Sequence, residues 1–469
     1  MSLSRRRLLA AAGAAALGGL AVSELVERLA TRPARAAGFP PHLPEQHLLQ
    51  ALRIVVSDGI EVFAPPLHSA LVTATLDVAE TPPAIADARA ELEARLARLD
   101  LIPGTAAGLG VTVGWGLPYF RRYVPGQAAR HLPVDIRATS RLGRTVDALL
   151  DAVRFPSDPD EVVLEDNEVA VLMRSDSLDN IRGAEELLFP ARGGIFRVAS
   201  IRRGFAGGGF GGATSLPKRV ALAARVPGAH LIPDQAELFL GFTSTQKQIT
   251  GRERIANFET LGYTDVGPEG YFAHGTHMHV SHLYEDLEAW YARSSHQERV
   301  DSAFRPGADV AAGTLTVRQA AVDVESESEV ESDYRRYGRI GHSGSIQPAS
   351  RLQHDLFGSD GTLYPAGTPI PHRADFNTLD HPFSWTAMPA ADRAGNGPRA
   401  GLHFVVFNPS SDDFNRGRLA MDGRLPGGRV LRFEPGARGQ GFNHVLTTTH
   451  RQNFLVPPRA HRAFPLSDL

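Results

Sequence analysis

The chain has 469 residues, 49 Lys and Arg against 52 Asp and Glu, a net charge of −3, and no cysteine. That balance offers no electrostatic footprint for nucleic acid, and without thiols there is neither a disulfide nor a thiolate metal site. Ser4-Arg5-Arg6-Arg7 leads directly into an apolar run from Leu8 to Val22. The run falls short of the roughly 20 residues a bilayer span requires and follows a basic stretch, which is the pattern of a signal peptide. The paired arginines point to twin-arginine export, and Ala34-Arg35-Ala36 offers small residues at the positions a signal peptidase reads. The expected organisation is a twin-arginine signal over 1–36, a linker over 37–50, one domain over 51–215 and a second over 216–469. The export partner is then the twin-arginine translocase, which carries folded chains. The mature chain has no further stretch of membrane length, so it is expected to work outside the cytoplasm without a stable membrane span.

In chain order, Leu71–Leu76 alternates and is β-rich, Ala84–Asp100 has helical apolar spacing, and Leu109–Gly114 reads as a strand. Glu168–Met173 is a strand, Ser177–Leu188 a helix with Ser177 or Asp179 near its start, and Ile195–Ile201 a strand. Strand, helix, strand, strand, helix, strand is the ferredoxin-like order. The glycine-rich stretch Gly204–Gly212 lacks the Lys-Ser/Thr of a phosphate loop and reads as an interdomain turn. The second half repeats the theme: a strand at Thr276–Leu283, a helix at Glu285–Arg293, a strand at Leu402–Phe407, a helix at Asp412–Met421 capped by Ser410 or Ser411, and a closing strand at Asn453–Val456. Between them, about 303–400 reads as irregular, and the acidic run Val324–Asp333 as a solvated loop. The fold class is α+β, with two ferredoxin-like domains of the dimeric α/β-barrel type.

Histidines cluster: His274, His277, His279 and His282 fall in one segment. On a strand His277 and His279 share a face about 7 Å apart, close enough to share a metal, while His282 has the opposite parity. His403 lies mid-strand in an apolar run, and His342 in the loop Gly341-His342-Ser343-Gly344. Imidazoles without thiols favour copper, so a copper site on His277, His279, His342 and His403 is one reading. Neither a Gly-x-Ser-x-Gly elbow nor a His-Glu-x-x-His motif is present, which removes the support for a hydrolase.

Several segments, in order, resemble the dye-decolorizing (DyP-type) peroxidases: Val111-Thr112-Val113-Gly114-Trp115-Gly116-Leu117-Pro118-Tyr119-Phe120, Gly275–Trp290 with Gln297–Val300, Gly401-Leu402-His403-Phe404-Val405-Val406-Phe407, and Phe454-Leu455-Val456-Pro457-Pro458. The resemblance implies two ferredoxin-like domains and a haem b held by His342, whose loop continues to Gln347-Pro348, with Leu402 and Phe404 lining the distal pocket. It places Ser244, in Gly241-Phe242-Thr243-Ser244-Thr245, where the family carries a catalytic Asp, and His372-Arg373 where the family carries an Arg. His372 is then expected to move the proton and Arg373 to supply the charge in peroxide cleavage. Three readings stand: an exported DyP-like, haem-dependent oxidoreductase with an altered peroxide site and a small-molecule or peroxide substrate; a copper oxidoreductase or metal-binding protein on the same fold; and a cofactor-free binding protein.

Overall fold

The computed structural model describes residues 22–30, 42–191, 193–206, 214–243, 266–267, 269–317, 326–357, 363–381 and 397–469. The first unit runs β1 (His68–Leu76), α1 (Pro82–Leu99), β2 (Gly110–Trp115), β3 (Val169–Ser175), α2 (Leu178–Leu188) and β4 (Phe196–Phe205). Its strands lie in the order β4-β1-β3-β2, all antiparallel. The second unit runs β5 (Thr276–Glu285), α3 (Leu287–Ala292), α4 (His296–Ala303), α5 (Glu327–Tyr337), α6 (His342–Ser350), β6 (Phe376–His381), β7 (Arg399–Asn408), α7 (Ser411–Met421) and β8 (Leu446–Val456). Its order, β8-β5-β7-β6, repeats that of the first unit. Each unit is therefore the expected βαββαβ arrangement.

The two sheets meet edge to edge. Trp115 of β2 pairs with Leu455 of β8, and Phe205 of β4 pairs with Asn377 of β6. Eight strands thus close into one ring, which removes the exposed edges that each four-stranded sheet would otherwise present. Strand parity divides the side chains. Leu71, Leu172, Met278, Val280, Phe376, Val405, Phe407 and Phe454 fill the interior. The outer face of the first sheet is covered by α1 and α2, through Leu92, Leu96, Ile181 and Leu188 against Val113, Val171 and Met173. Ser177 caps α2 as expected, its hydroxyl accepting from Asn180 N at 3.3 Å.

Three local expectations change. The acidic run is a helix where it is described: α5 begins with a reciprocal capping box between Ser326 and Glu329, with Glu327 and Glu329 in its first turn and Arg335 and Arg336 in its last. Those charges oppose the helix dipole at both ends, which favours a helix over a solvated loop. The region read as irregular also contains α6 and β6. Residues 42–50, read as linker, lie against both units: Gln46 Nε2 donates to Pro457 O at 2.7 Å, and its Oε1 accepts from Val113 N at 3.0 Å. Val22–Leu29, within the expected leader, forms a helix whose Val22, Leu25 and Val26 are buried among Leu67, Phe205 and Val220. Its Glu27 lies 2.9 Å from His68 Nε2. Among the described residues no helix is long and apolar enough to cross a membrane. Most of the glycine-rich stretch, 207–213, lies outside the described residues.

Candidate functional site

Outside the barrel, α6 and α7 stand over the outer face of the second sheet and leave a cavity of about 430 Å³, a size suited to a small ligand or cofactor. Register defines its sheet wall. On β7, Leu402, Phe404 and Val406 share the outer face and line the cavity. The adjacent segment pairs Arg373 with Val406 and Asn377 with Leu402, so Arg373, Asp375 and Asn377 alternate along the same face. Cation, carboxylate and amide thus stand beside a valine, a phenylalanine and a leucine.

His342 opens α6 on the helical side of the cavity, with Ile346 one turn on. It is the first residue of a helix rather than part of an irregular loop. Its position is set by Gly341. A Cβ on Gly341 would stand 2.0 Å from Phe304 O, and that carbonyl is fixed by accepting from Gly344 N at 2.8 Å. The His342 ring lies 4.6 Å from that of Phe442. Its Nδ1 is buried without a hydrogen-bond partner among the described residues. Burial, reinforced by the positive charges of Arg373 and Arg418, pulls its pKa down to about 3. The imidazole is therefore neutral near pH 7, the form in which it can coordinate a metal.

Arg373 lies 3.7 Å from Asp375. From α7, Phe414, Arg418 and Met421 complete this end of the cavity. Arg418 is held by Asp422 at 2.8 Å. Asn377 is fully buried, and among the described residues neither its Oδ1 nor its Nδ2 has a partner. An unsatisfied buried amide in a cavity wall costs about 1–3 kcal/mol per group, which marks it as a place for a bound polar group.

Five of the expected site residues, His342, His372, Arg373, Leu402 and Phe404, border this one cavity. His372, however, follows the opposite strand parity from Arg373. Its ring stands 6.0 Å from Phe407, a barrel-interior side chain, and 6.3 Å from His47. Strand parity thus directs it to the other face from Arg373, Leu402 and Phe404, while it still borders the cavity. Ser244 lies outside the described residues, while Phe242 and Thr243 before it border the cavity. Sequence reasoning missed Asp375 and Asn377. The alternation Arg-Ala-Asp-Phe-Asn was the available signal.

The copper set does not assemble. Among the described residues no three His, Asp or Glu side chains are placed to hold a metal. His277 and His279 share the outer face of β5, as parity requires, but neither borders the cavity. His279 is stacked on Phe414 at 3.4 Å, with its Nδ1 2.7 Å from Asn453 Oδ1 and its Nε2 2.6 Å from Ser281 Oγ, so both ring nitrogens are already engaged. His403 faces the barrel interior, 5.0 Å from the His282 ring and 5.2 Å from Phe376. Parity thus puts His403 on the far side of the sheet from His277, His279 and His342.

The chain matches no curated protein sequence. Among solved structures it is similar to the DyP-type peroxidase from Cellulomonas bogoriensis, with 18% identity over 89% of this chain and 96% of that one, at a TM-score of 0.48. A dye-decolorizing peroxidase from Bacteroides thetaiotaomicron is 12% identical over 89% of this chain and 98% of its own, at a TM-score of 0.46. A variant of DypB from Rhodococcus jostii, solved in complex with heme, is 14% identical over 85% of this chain and 95% of its own, at a TM-score of 0.46. Residues 66–458 match the model of a family of unknown function, DUF7405. The chain belongs to that family.

Proposed function

We propose that this protein is a haem-dependent oxidoreductase of peroxidase type with a rebuilt peroxide site. The observation that carries this reading is a neutral, buried His342 with an unpartnered Nδ1, facing the apolar wall of Leu402 and Phe404 across one cavity. The residues fit the group. A metal-bound porphyrin needs one imidazole and an apolar slot rather than a cluster of protein ligands, and that is what the cavity offers. The ordered motif resemblance to DyP-type peroxidases supports the same reading.

When bound, haem supplies the redox chemistry and a coordination position for a peroxide. His342 would be its protein ligand, and Leu402, Phe404, Ile346 and Phe442 would exclude water around it. Arg373 places a fixed positive charge where negative charge develops as the oxygen–oxygen bond breaks. The Asp375 carboxylate, beside Arg373, accepts a proton from one peroxide oxygen and returns it to the other. Asn377 offers a donor and an acceptor to hold the peroxide or the water it yields.

The test is titration of the purified chain with haemin, followed at the Soret band and by iron analysis. One haem per chain with a Soret maximum shifted from that of free haemin is expected. Failure to take up haem would overturn the reading and favour a cofactor-free binding protein.

We further propose export by the twin-arginine route, supported by the Ser4–Val22 pattern. A chain exported from a twin-arginine-competent cell and retained in a translocase-deficient one is the expected result. Equal export from both would contradict it.

A further inference from the structure

The cavity extends to the first unit, where Leu48, Leu49, Phe63, Ser69 and Arg174 form its wall. Arg174 lies on β3, opposite Ser69 of β1 and Gly110 of β2, and is buried at 6% exposure. One of its guanidinium nitrogens, Nη2, donates to the carbonyl of His47. Among the described residues its Nε is buried with no partner, and it forms no ion pair. The other guanidinium groups on this cavity with a defined counter-charge show the contrast: Arg373 has Asp375 at 3.7 Å, and Arg418 has Asp422 at 2.8 Å. Burial alone lowers the Arg174 pKa to about 10, with no carboxylate to raise it. It is therefore a cation near pH 7.

A buried cation without a counter-ion is a large local penalty even after relaxation. Ordinary packing does not explain it, because a methionine or leucine would fill the same space without that penalty. The penalty is relieved when an anion enters the cavity. A guanidinium with an unused Nε–H presents the planar fork that matches a carboxylate.

We propose that Arg174 forms an anion subsite at the first-unit end of the cavity and takes a carboxylate of the bound ligand. This rests in part on the haem reading, since the carboxylate has two sources: a porphyrin propionate, or a separate carboxylate substrate entering beside the haem.

The test compares acids with their neutral counterparts on the full chain. Haemin and haemin dimethyl ester are titrated into haem-free protein, and 2-naphthoate and 2-naphthamide into both haem-free and haem-loaded protein. Each series is repeated with R174Q, which keeps a donor for His47 O, and with R174M. If the propionate is the source, wild type binds haemin about tenfold or more tightly than the ester, and both variants lose that preference. If the carboxylate is a substrate's, haemin and ester bind alike, naphthoate binds about tenfold or more tightly than naphthamide, and the variants lose that preference. Ligand-free R174Q should melt no lower than wild type, because no ion pair is lost and a donor to His47 O remains, whereas R174M also gives up that hydrogen bond. Wild-type protein that binds neither acid better than its neutral counterpart overturns the proposal, and this comparison needs no variant to fold. Wild-type protein that takes up no haemin contradicts the haem reading alone, and the naphthoate series on haem-free protein still decides the role of Arg174.

Discussion

Asp375 and His342 face one another's environment across a single cavity, and their chemistry differs because their surroundings do. His342 is held neutral by burial and by two nearby guanidinium groups. Asp375 lies 3.7 Å from the Arg373 guanidinium. If Asp375 moves the proton in peroxide cleavage, D375N should slow peroxide-dependent turnover by about 10²- to 10⁴-fold, with the Soret band unchanged. Steady-state kinetics on haem-loaded protein check this, and turnover equal to wild type would contradict the role. The two residues were not equally legible. His342 is found by order within a family pattern. Asp375 reads as an ordinary loop carboxylate until the pairing of Arg373 with Val406 and Asn377 with Leu402 fixes which residues face the cavity. His372 shows the converse. It is a plausible proton carrier by type, and one step of strand parity turns it toward Phe407 and His47 instead.

At the scale of elements, the position of His342 depends on how tightly α6 starts against the end of α4. Phe304 directly follows α4, and its carbonyl occupies the space a Gly341 side chain would need. G341A must displace one or the other, at a cost of about 1–3 kcal/mol. The expected result is a lower unfolding temperature together with weaker haem uptake; unchanged values for both would show that the close approach does not set the helix start. Strands and long helices were legible because apolar alternation and caps such as Ser177 are local signals. α5 carried such a signal too, the Ser326-to-Glu329 capping box, masked by the acidic composition around it. α6 was not legible: Gly341, Gly344 and Pro348 within nine residues predict a loop, and tertiary contacts override that propensity.

At the scale of the whole molecule, packing on both faces of the ring buries several imidazoles in neutral form. His47, His277 and His342 each have a pKa lowered by burial to about 3, and burial pushes His279 and His403 well below the ordinary value. In the unfolded chain these groups take up protons below the ordinary imidazole value of 6.5, whereas the folded protein resists until about 3. Their contribution to stability is present above the unfolded pKa and is lost as pH falls from there toward the folded one. The urea midpoint of the haem-free chain should therefore be lower at pH 5.5 than at pH 7.5. An equal or higher midpoint at pH 5.5 would contradict the burial of these imidazoles.

The central claim, that His342 is the haem ligand, is tested most directly by haemin titration of wild type, H342A and H403A in parallel, read at the Soret band. Wild type and H403A should each bind one haem with the same spectrum, because His403 faces the barrel interior. H342A should lose the coordinated spectrum and bind haem far more weakly. A spectrum and affinity in H342A identical to wild type would contradict the account.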